Sequence, residues 1–144
     1  MTINEQQDEI IDDFEVFSDW MDKYEYIIQL GKELPLIDEQ YKIDANLIKG
    51  CQSRVWLHAE NKDGIIYFTA DSDAIITKGL ISMVIKVLSG QPAKEIVKAD
   101  LYFVDKIGLN SHLSPTRSNG LLSMLKQIKT YAQAFQLKEI NNNQ

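Results

Sequence analysis

The sequence predicts an α+β fold in which helices pack on one face of a small antiparallel sheet. Three observations lead to this prediction. Apolar residues recur at helical spacing early in the chain, alternate with polar residues around a central Asp-Gly turn, and return to helical spacing in the last third. The 144 residues suffice for one hydrophobic core. We therefore expect a single domain over residues 1–144, with its core between about 10 and 138.

Two helices are predicted in the N-terminal part of the chain. Thr2 and Glu5 have the spacing of a capping box, which predicts the start of the first helix. Ser18 is the expected N-cap of the second helix. We expect Gly31 to end that helix in a left-handed conformation, and Pro35 follows the break.

The centre of the chain predicts an irregular segment followed by a β-hairpin. Residues 36–50 lack periodicity, and only a short strand is expected near Asn46–Ile48. Apolar and polar residues then alternate from Val55 onwards, as in a half-buried strand. The stretch "NKDG" contains the Asp-Gly pair that tight hairpin turns favour, and "IIYFTA" is the expected returning strand.

Helices are predicted for the remainder of the chain. The stretch "SDAIITKGLISMVIKVLSG" is apolar on most of its circumference, which predicts a buried helix closed by Gly90. A mid-helix glycine costs up to about 1 kcal/mol, so Gly79 indicates a close packing contact. Pro92 opens a short helix, and "LYFVDKIGL" favours another. Ser114 as N-cap and Pro115 at the first position begin a long final helix, and we expect the "NNNQ" tail to fray.

Composition and charge exclude several classes of protein. The chain is 44% apolar and 25% charged, and no apolar run approaches the roughly 18 residues that span a bilayer. Residues 1–25 hold nine acids and one base, and the formal net charge is −6. This pattern lacks the clustered cations of a nucleic-acid binder. We expect neither nucleic acid nor membrane as a partner. The N-terminus does not resemble a signal peptide, and a single cysteine suits a reducing cytoplasm, where we expect the protein.

Metal and nucleotide chemistry are not indicated by any motif. One cysteine and two histidines cannot form an ordinary four-ligand zinc site without recruiting carboxylates, so we expect no metal. An iron–sulfur cluster also needs more ligands than this chain offers. The sequence contains no phosphate-binding glycine loop and no GxSxG nucleophile motif.

Cys51 is the remaining candidate for chemistry. Most lone cysteines are inert core thiols. Three features favour a reactive one. Gly50 permits a tight or exposed turn, Lys49 and Arg54 would favour the thiolate, and the residue lies at a loop-to-strand junction.

A cysteine hydrolase would need a histidine base beside Cys51. His58 follows seven residues later, roughly 23 Å away if the chain is extended at about 3.3 Å per residue. It is therefore a poor partner. His112 cannot be placed from the sequence, so the hydrolase hypothesis stays open.

Three charged residues allow two interpretations each. Arg117 at the third position of the final helix is unfavourable by about 0.3–1 kcal/mol, because a cation faces the positive end of the helix dipole. It is either a surface arginine that pairs with a carboxylate or an arginine held at a binding surface. Asp71 and Asp73 either cap the buried helix as first-turn acids or belong to the same binding surface.

Four stretches resemble the SufE family of sulfur acceptor proteins, which includes CsdE-like members. They are "YEYIIQLGKELP", "IKGCQSRVWL", "ADSDAIITKGLISMVI" and "HLSPTRSNGL". The match covers roughly Phe14 to Phe135, and the cysteine and arginine blocks are specific when taken together. The resemblance implies the compact α+β fold shared with IscU-like scaffold proteins.

The resemblance also implies a function, a partner and a set of site residues. Cys51 would accept persulfide sulfur from a PLP-dependent cysteine desulfurase of the SufS type, stimulate that enzyme, and pass the sulfur to the SufBCD scaffold for iron–sulfur cluster assembly. PLP would belong to the desulfurase, and this chain would bind no cofactor of its own. We expect the thiol to rest partly sheltered by apolar residues. The residues expected to support the Cys51 loop or to dock the partner are Gly50, Gln52, Ser53, Arg54, Asp71, Asp73 and Arg117.

The choice between a SufS-type and a CsdA-type partner stays open, and we expect a monomer or a weak dimer. A module that activates a desulfurase without carrying sulfur is the main alternative. Such a module would not need Cys51.

Overall fold

The computed structural model describes residues 1–142 as an α+β fold. The chain runs through helices, a short antiparallel sheet and further helices, in the predicted order. The elements are α1 (Ile3–Glu15), α2 (Trp20–Lys32), β1 (Val55–Lys62), β2 (Ile65–Ser72), α3 (Ile75–Leu88), β3 (Gln91–Pro92), α4 (Ala93–Lys98), α5 (Phe103–Lys106), α6 (Leu109–His112) and α7 (Pro115–Asn142).

Side-chain caps begin the first two helices. The prediction was correct for the start of α1 but wrong for both the N-cap and the end of α2. The capping box of Thr2 and Glu5 is present at the start of α1. The N-cap of α2 is Asp19 rather than Ser18, and its side chain accepts a hydrogen bond from the N–H of Asp22. Gly31 does not end α2 but lies inside it, because its missing Cβ is needed for packing.

The sheet is antiparallel in the order β1-β2-β3. Lys62 pairs with Ile65, so Asp63 and Gly64 form the predicted two-residue turn, with φ values of 55° and 87°. Alternation along β1 and β2 places apolar residues on the inner face, where α3 packs. These buried residues are Val55, Leu57, Ile66, Phe68 and Ala70.

The segment 36–47 covers part of the outer face of the sheet. It forms two short 3₁₀ turns, and the predicted strand near Asn46–Ile48 is reduced to a single bridge between Leu47 and Trp56. The ring of Tyr41 stacks on His58 with centroids 3.6 Å apart. The predicted strand is therefore not formed, because isolated backbone bridges at Leu36 and Leu47 and this ring stacking hold the segment instead of a continuous ladder.

Helix α3 lies at the centre of the molecule, in contact with α1, α2, α7 and β2. The predicted close contact at Gly79 is confirmed. A Cβ at this position would overlap the backbone carbonyl of Ile27, and a Cβ on Gly31 would lie 3.0 Å from the Gly79 nitrogen. The two glycines let the backbones of α2 and α3 approach closely.

Helix α7 begins with Ser114 as N-cap, as predicted, because the N–H of Arg117 donates to Ser114 Oγ at 3.3 Å. Its inner side joins the core through Leu121, Met124, Ile128 and Ala132. Residues 141–142 of the tail predicted to fray still belong to α7, and residues 143–144 lie outside the described residues.

Candidate functional site

Cys51 lies on a loop that connects the irregular segment to β1. The N–H of Ile48 donates to the carbonyl of Val55 at 2.8 Å and closes the base of this loop. Gly50 has φ +91°, a left-handed conformation that disfavours any other residue. A Cβ on Gly50 would also overlap Ser123 Oγ on α7. The turn therefore requires glycine for its backbone conformation, and a larger residue would also displace the Ser123 side chain.

The far end of the loop is fixed to the corner between β2 and α3. The carbonyl of Arg54 accepts from Ser72 Oγ at 2.8 Å, and its N–H donates to Asp73 Oδ1 at 3.1 Å. Asp73 thus holds the loop instead of capping α3, whose N-cap residue Ala74 makes no side-chain capping bond. The predicted proximity of Asp73 to the Cys51 loop is present in the structure.

The thiol of Cys51 is half-buried and points at α7. Its Sγ lies 3.5 Å from the carbonyl oxygen of Gly120, to which the S–H can donate. Burial raises the pKa of the Cys51 thiol above its ordinary value. The expectation that Lys49 and Arg54 would favour the thiolate is therefore wrong for the resting loop. The neutral thiol is the stable form there.

A cavity of about 340 Å³ opens beside Cys51. The loop forms one wall, the start of α3 a second wall and the first turns of α7 a third. Arg117 lines this cavity, so the sequence prediction that it lies near Cys51 agrees with the geometry. The lining residues are Cys51, Gln52, Ser53, Ala74, Thr77, Leu80, Ser114, Thr116, Arg117, Gly120 and Met124.

Asp71 does not line the cavity. Its carboxylate pairs with Lys42 at 2.8 Å and with Lys78 at 3.4 Å. Burial alone would raise the pKa of Asp71, but hydrogen bonds from Lys42 and the Ser72 N–H, together with the charge of Lys78, lower it. Asp71 thus links the irregular segment to α3 and is neither a cap nor part of the Cys51 site.

Two residues at the site, Gly120 and Thr77, were not predicted from the sequence. A Cβ at Gly120 would lie 3.6 Å from Cys51 Sγ, so this glycine leaves space beside the thiol. Its sequence signal was the same as that of Gly79, a glycine within a predicted helix. Thr77 carried no signal, because a threonine in a buried helix is ordinary.

Neither histidine lines the cavity. His58 lies on the outer face of the sheet, with its Nε2 3.2 Å from Glu60. His112 stacks on Trp20 with ring centroids 3.9 Å apart. No three His, Cys, Asp or Glu side chains within residues 1–142 are grouped so that they could hold a metal ion. The histidine base that a cysteine hydrolase would need is thus not placed beside Cys51.

The sequence of this chain matches one protein family over most of its length. The family described as "SufE: Fe-S metabolism associated domain" matches residues 8–132. The chain belongs to the SufE family. Its membership places it in iron–sulfur metabolism, and the family match includes the Cys51 loop, α3 and the cavity-lining turns of α7.

Relatives of this SufE-family chain occur in bacteria and plants. A SufE-like protein of Rhizobium meliloti is 44% identical over 131 residues, which cover 88% of this chain and 94% of the relative. The "SufE-like protein 1, chloroplastic/mitochondrial" of Arabidopsis thaliana is 39% identical over 132 residues, 90% of this chain and 35% of that longer protein.

A solved structure supports the fold of this SufE-family chain. The solution structure of a hypothetical protein from Thermus thermophilus matches with a TM-score of 0.74 at 14% identity, over 90% of this chain and 94% of that one. Within the described part of the chain, no helix has both the length and the apolarity needed to cross a membrane.

Proposed function

We propose that this chain is a sulfur carrier that takes persulfide sulfur from a cysteine desulfurase onto Cys51. The desulfurase would be a PLP-dependent enzyme of the SufS type, and its PLP stays on that enzyme. The carrier stimulates its partner and delivers the sulfur to a SufBCD-type scaffold in a reducing cytoplasm. It has no turnover of its own and acts as a monomer or weak dimer.

The transfer is an exchange that needs no external oxidant or reductant. The Cys51 thiolate attacks the terminal sulfur of the donor persulfide. A new S–S bond forms at Cys51, the donor S–S bond breaks, and the donor cysteine leaves as a thiolate. Cys51–S–SH is the product. One sulfur atom has moved between two cysteines, and no net electrons have been transferred.

The placement of Cys51 is the observation that carries this proposal. The thiol is half-buried against α7 at the edge of a cavity, on a loop whose two ends are fixed. Apart from the turn at residues 49–50, the backbone of residues 49–53 makes no hydrogen bond to another described part of the chain. Such a loop supports two positions, one turned inward to protect a reactive sulfur and one turned outward to reach a partner.

The charges around the loop support docking to a protein partner. Lys49, Arg54 and Arg117 are exposed, and none of the three forms an ion pair within residues 1–142. Cations near a reactive loop would steer a partner whose active-site entrance is acidic. Ionisation of Cys51 is then expected when docking turns the loop outward, away from the Gly120 carbonyl.

Mass spectrometry of the intact protein tests the proposal directly. The wild type and Cys51→Ser are each mixed with a SufS-type desulfurase, PLP and L-cysteine, without reductant. Serine keeps a hydroxyl donor for the Gly120 carbonyl but cannot form a persulfide. We expect a gain of one sulfur atom on the wild type alone, together with faster desulfurase turnover.

A different result would favour the alternative of a pure activator module. In that case Cys51→Ser would stimulate the desulfurase as well as the wild type, and neither protein would gain sulfur. A CsdA-type desulfurase run in parallel identifies the preferred partner class.

A further inference from the structure

The cavity beside Cys51 offers more than space for one sulfur atom. Its volume is about 340 Å³, whereas a persulfide adds a single atom about 2 Å beyond Sγ. Several of its lining residues are polar, although a neutral sulfur would require only apolar shelter. The cavity is therefore larger and more polar than storage of one neutral sulfur atom would require.

Two helices begin at this cavity. Ala74 and Thr77 belong to the first turn of α3, and Ser114 and Thr116 to the first turn of α7. The N-cap of α3 makes no side-chain capping bond, so its first N–H groups are left without that partner. Both helices are long enough to present a positive dipole end, α3 having 14 residues and α7 having 28.

Thr77 provides an independent indication of a ligand. Only 8% of this residue is exposed, yet its hydroxyl makes no hydrogen bond within residues 1–142. No side-chain nitrogen or oxygen in that range is fully enclosed without a partner. The Thr77 hydroxyl oxygen is therefore not fully enclosed by protein atoms. The open space that Thr77 lines is this cavity. It is a donor without an acceptor.

Arg117 adds a full positive charge to the same wall. It lines the cavity and forms no ion pair with another described residue. A cation at the N-terminal turn of a helix is repelled by the helix dipole. That repulsion is relieved when an anion lies between the helix end and the guanidinium.

We infer that this cavity is an anion site that holds the terminal sulfur of the Cys51 persulfide in its ionised form. Thr77, Arg117 and the start of α3 supply the donors. The inference rests on the proposed function and deepens it, because it assigns a charge state to the stored sulfur.

The two states of Cys51 then differ in charge. A hydropersulfide is a stronger acid than its parent thiol, so Cys51–S–SH loses its proton to solvent and becomes Cys51–S–S⁻. The unloaded Sγ faces the Gly120 carbonyl, an acceptor, which suits a neutral S–H. The added sulfur would extend beyond that carbonyl into the cavity that Thr77 and Arg117 also line. The unloaded thiol is thus neutral, and the loaded persulfide carries a negative charge beside Arg117.

Titration of a chemically prepared persulfide tests this inference without a desulfurase. Cys51 is first converted to a mixed disulfide with an aromatic thiol. Sulfide then attacks Cys51 Sγ, and the aromatic thiolate leaves. The pH dependence of the near-ultraviolet absorbance of the persulfide anion gives its acid dissociation constant. The variants are Arg117→Gln, Arg117→Lys, Thr77→Val and, as a control, Arg54→Gln, whose exposed arginine does not line the cavity.

We expect Arg117→Gln and Thr77→Val each to lower the acid dissociation constant of the persulfide by about threefold to tenfold. Arg117→Lys should restore most of the loss, and Arg54→Gln should titrate like the wild type. The titration of the unloaded thiol should change less than that of the persulfide in every variant.

The inference would be overturned if the persulfide had the same acid dissociation constant in the wild type, Arg117→Gln and Thr77→Val. An equal shift in Arg54→Gln would also overturn it, since the effect would then be general surface charge. Because the persulfide is prepared with sulfide, the result does not depend on sulfur transfer from a desulfurase. If the desulfurase fails to load Cys51 while these shifts appear, the proposed function fails and the anion site remains.

Discussion

At the residue scale, we expect Gly50 to control the access of reagents to the Cys51 thiol. It combines φ +91° with a contact to α7 in which an added Cβ would overlap the Ser123 hydroxyl. Gly50→Ala should therefore push the loop away from α7 and uncover the thiol. We expect slow labelling of the wild type by a bulky thiol reagent at neutral pH, because burial keeps the thiol protonated. Labelling of Gly50→Ala should be several-fold faster.

Gly90→Ala is the matched control for this prediction. Gly90 also has a positive φ, +77°, but a Cβ there would meet only a Tyr67 ring carbon at 3.7 Å, an ordinary contact. Each variant should lose about 1–3 kcal/mol of stability from its backbone conformation. Only Gly50→Ala should change the labelling rate. Equal rates in the wild type and Gly50→Ala would show that α7 does not shelter the thiol.

The Cys51 site also shows what a sequence can reveal about one residue. The position of Cys51 after a glycine and between cations was sufficient to identify the candidate. The direction of its pKa shift was not predictable, because the thiol is half-buried against α7 and contacts Gly120, 69 residues further along the chain. Flanking cations are visible in the sequence, whereas the helix that covers the thiol is not.

At the element scale, the same substitution should have opposite effects in two helices. Alanine normally stabilises a helix by about 1 kcal/mol relative to glycine. At Gly79 the new Cβ would overlap the Ile27 carbonyl, so Gly79→Ala should destabilise the protein by about 1–3 kcal/mol. At Gly120 the new Cβ would make only a 3.6 Å contact with Cys51 Sγ, so Gly120→Ala should be neutral or stabilising.

Urea unfolding of the two variants measures this difference. The sulfur-loading assay adds a second readout, since Gly120→Ala narrows the space beside the thiol and should reduce loading. A stabilised Gly79→Ala would contradict the close crossing of α2 and α3.

Most elements could be predicted because their signals are local. The capping box of α1, the Asp-Gly turn and the Ser114 N-cap each depend on residues within a few positions. Gly31 was wrongly predicted to end α2, because a glycine near a helix end resembles a C-terminal stop. In the structure it lies inside α2 and allows close contact with α3. Residues 36–50 are irregular as predicted, but the strand expected near Asn46–Ile48 is only a single bridge between Leu47 and Trp56, because contacts with the sheet determine its conformation.

At the scale of the whole molecule, the Asp71 carboxylate connects three parts of the chain. It pairs with Lys42 of the irregular segment and with Lys78 of α3, and it lies on β2. The pKa of Asp71 is lowered below its ordinary value of 3.8 in the folded protein. Asp71 therefore stabilises the fold above that value, and the contribution is lost as the pH falls through the lowered pKa.

Unfolding measured between pH 3 and 7 tests this prediction on the wild type and Asp71→Asn. The variant should be less stable at neutral pH, and the difference should shrink towards pH 3. Asp73→Asn serves as the control, because its amide oxygen can still accept from the Arg54 N–H. A constant difference across the pH range would mean that Asp71 acts through packing and not through its charge.

The shelter of Cys51 also determines how the protein withstands oxidants. Peroxides attack thiolates, and a thiol that stays protonated against a helix carbonyl offers little of that form. The unloaded protein should therefore resist over-oxidation to sulfinic acid, an irreversible loss for a chain with a single cysteine. The burial that should slow labelling of the Cys51 thiol should thus also slow its irreversible oxidation.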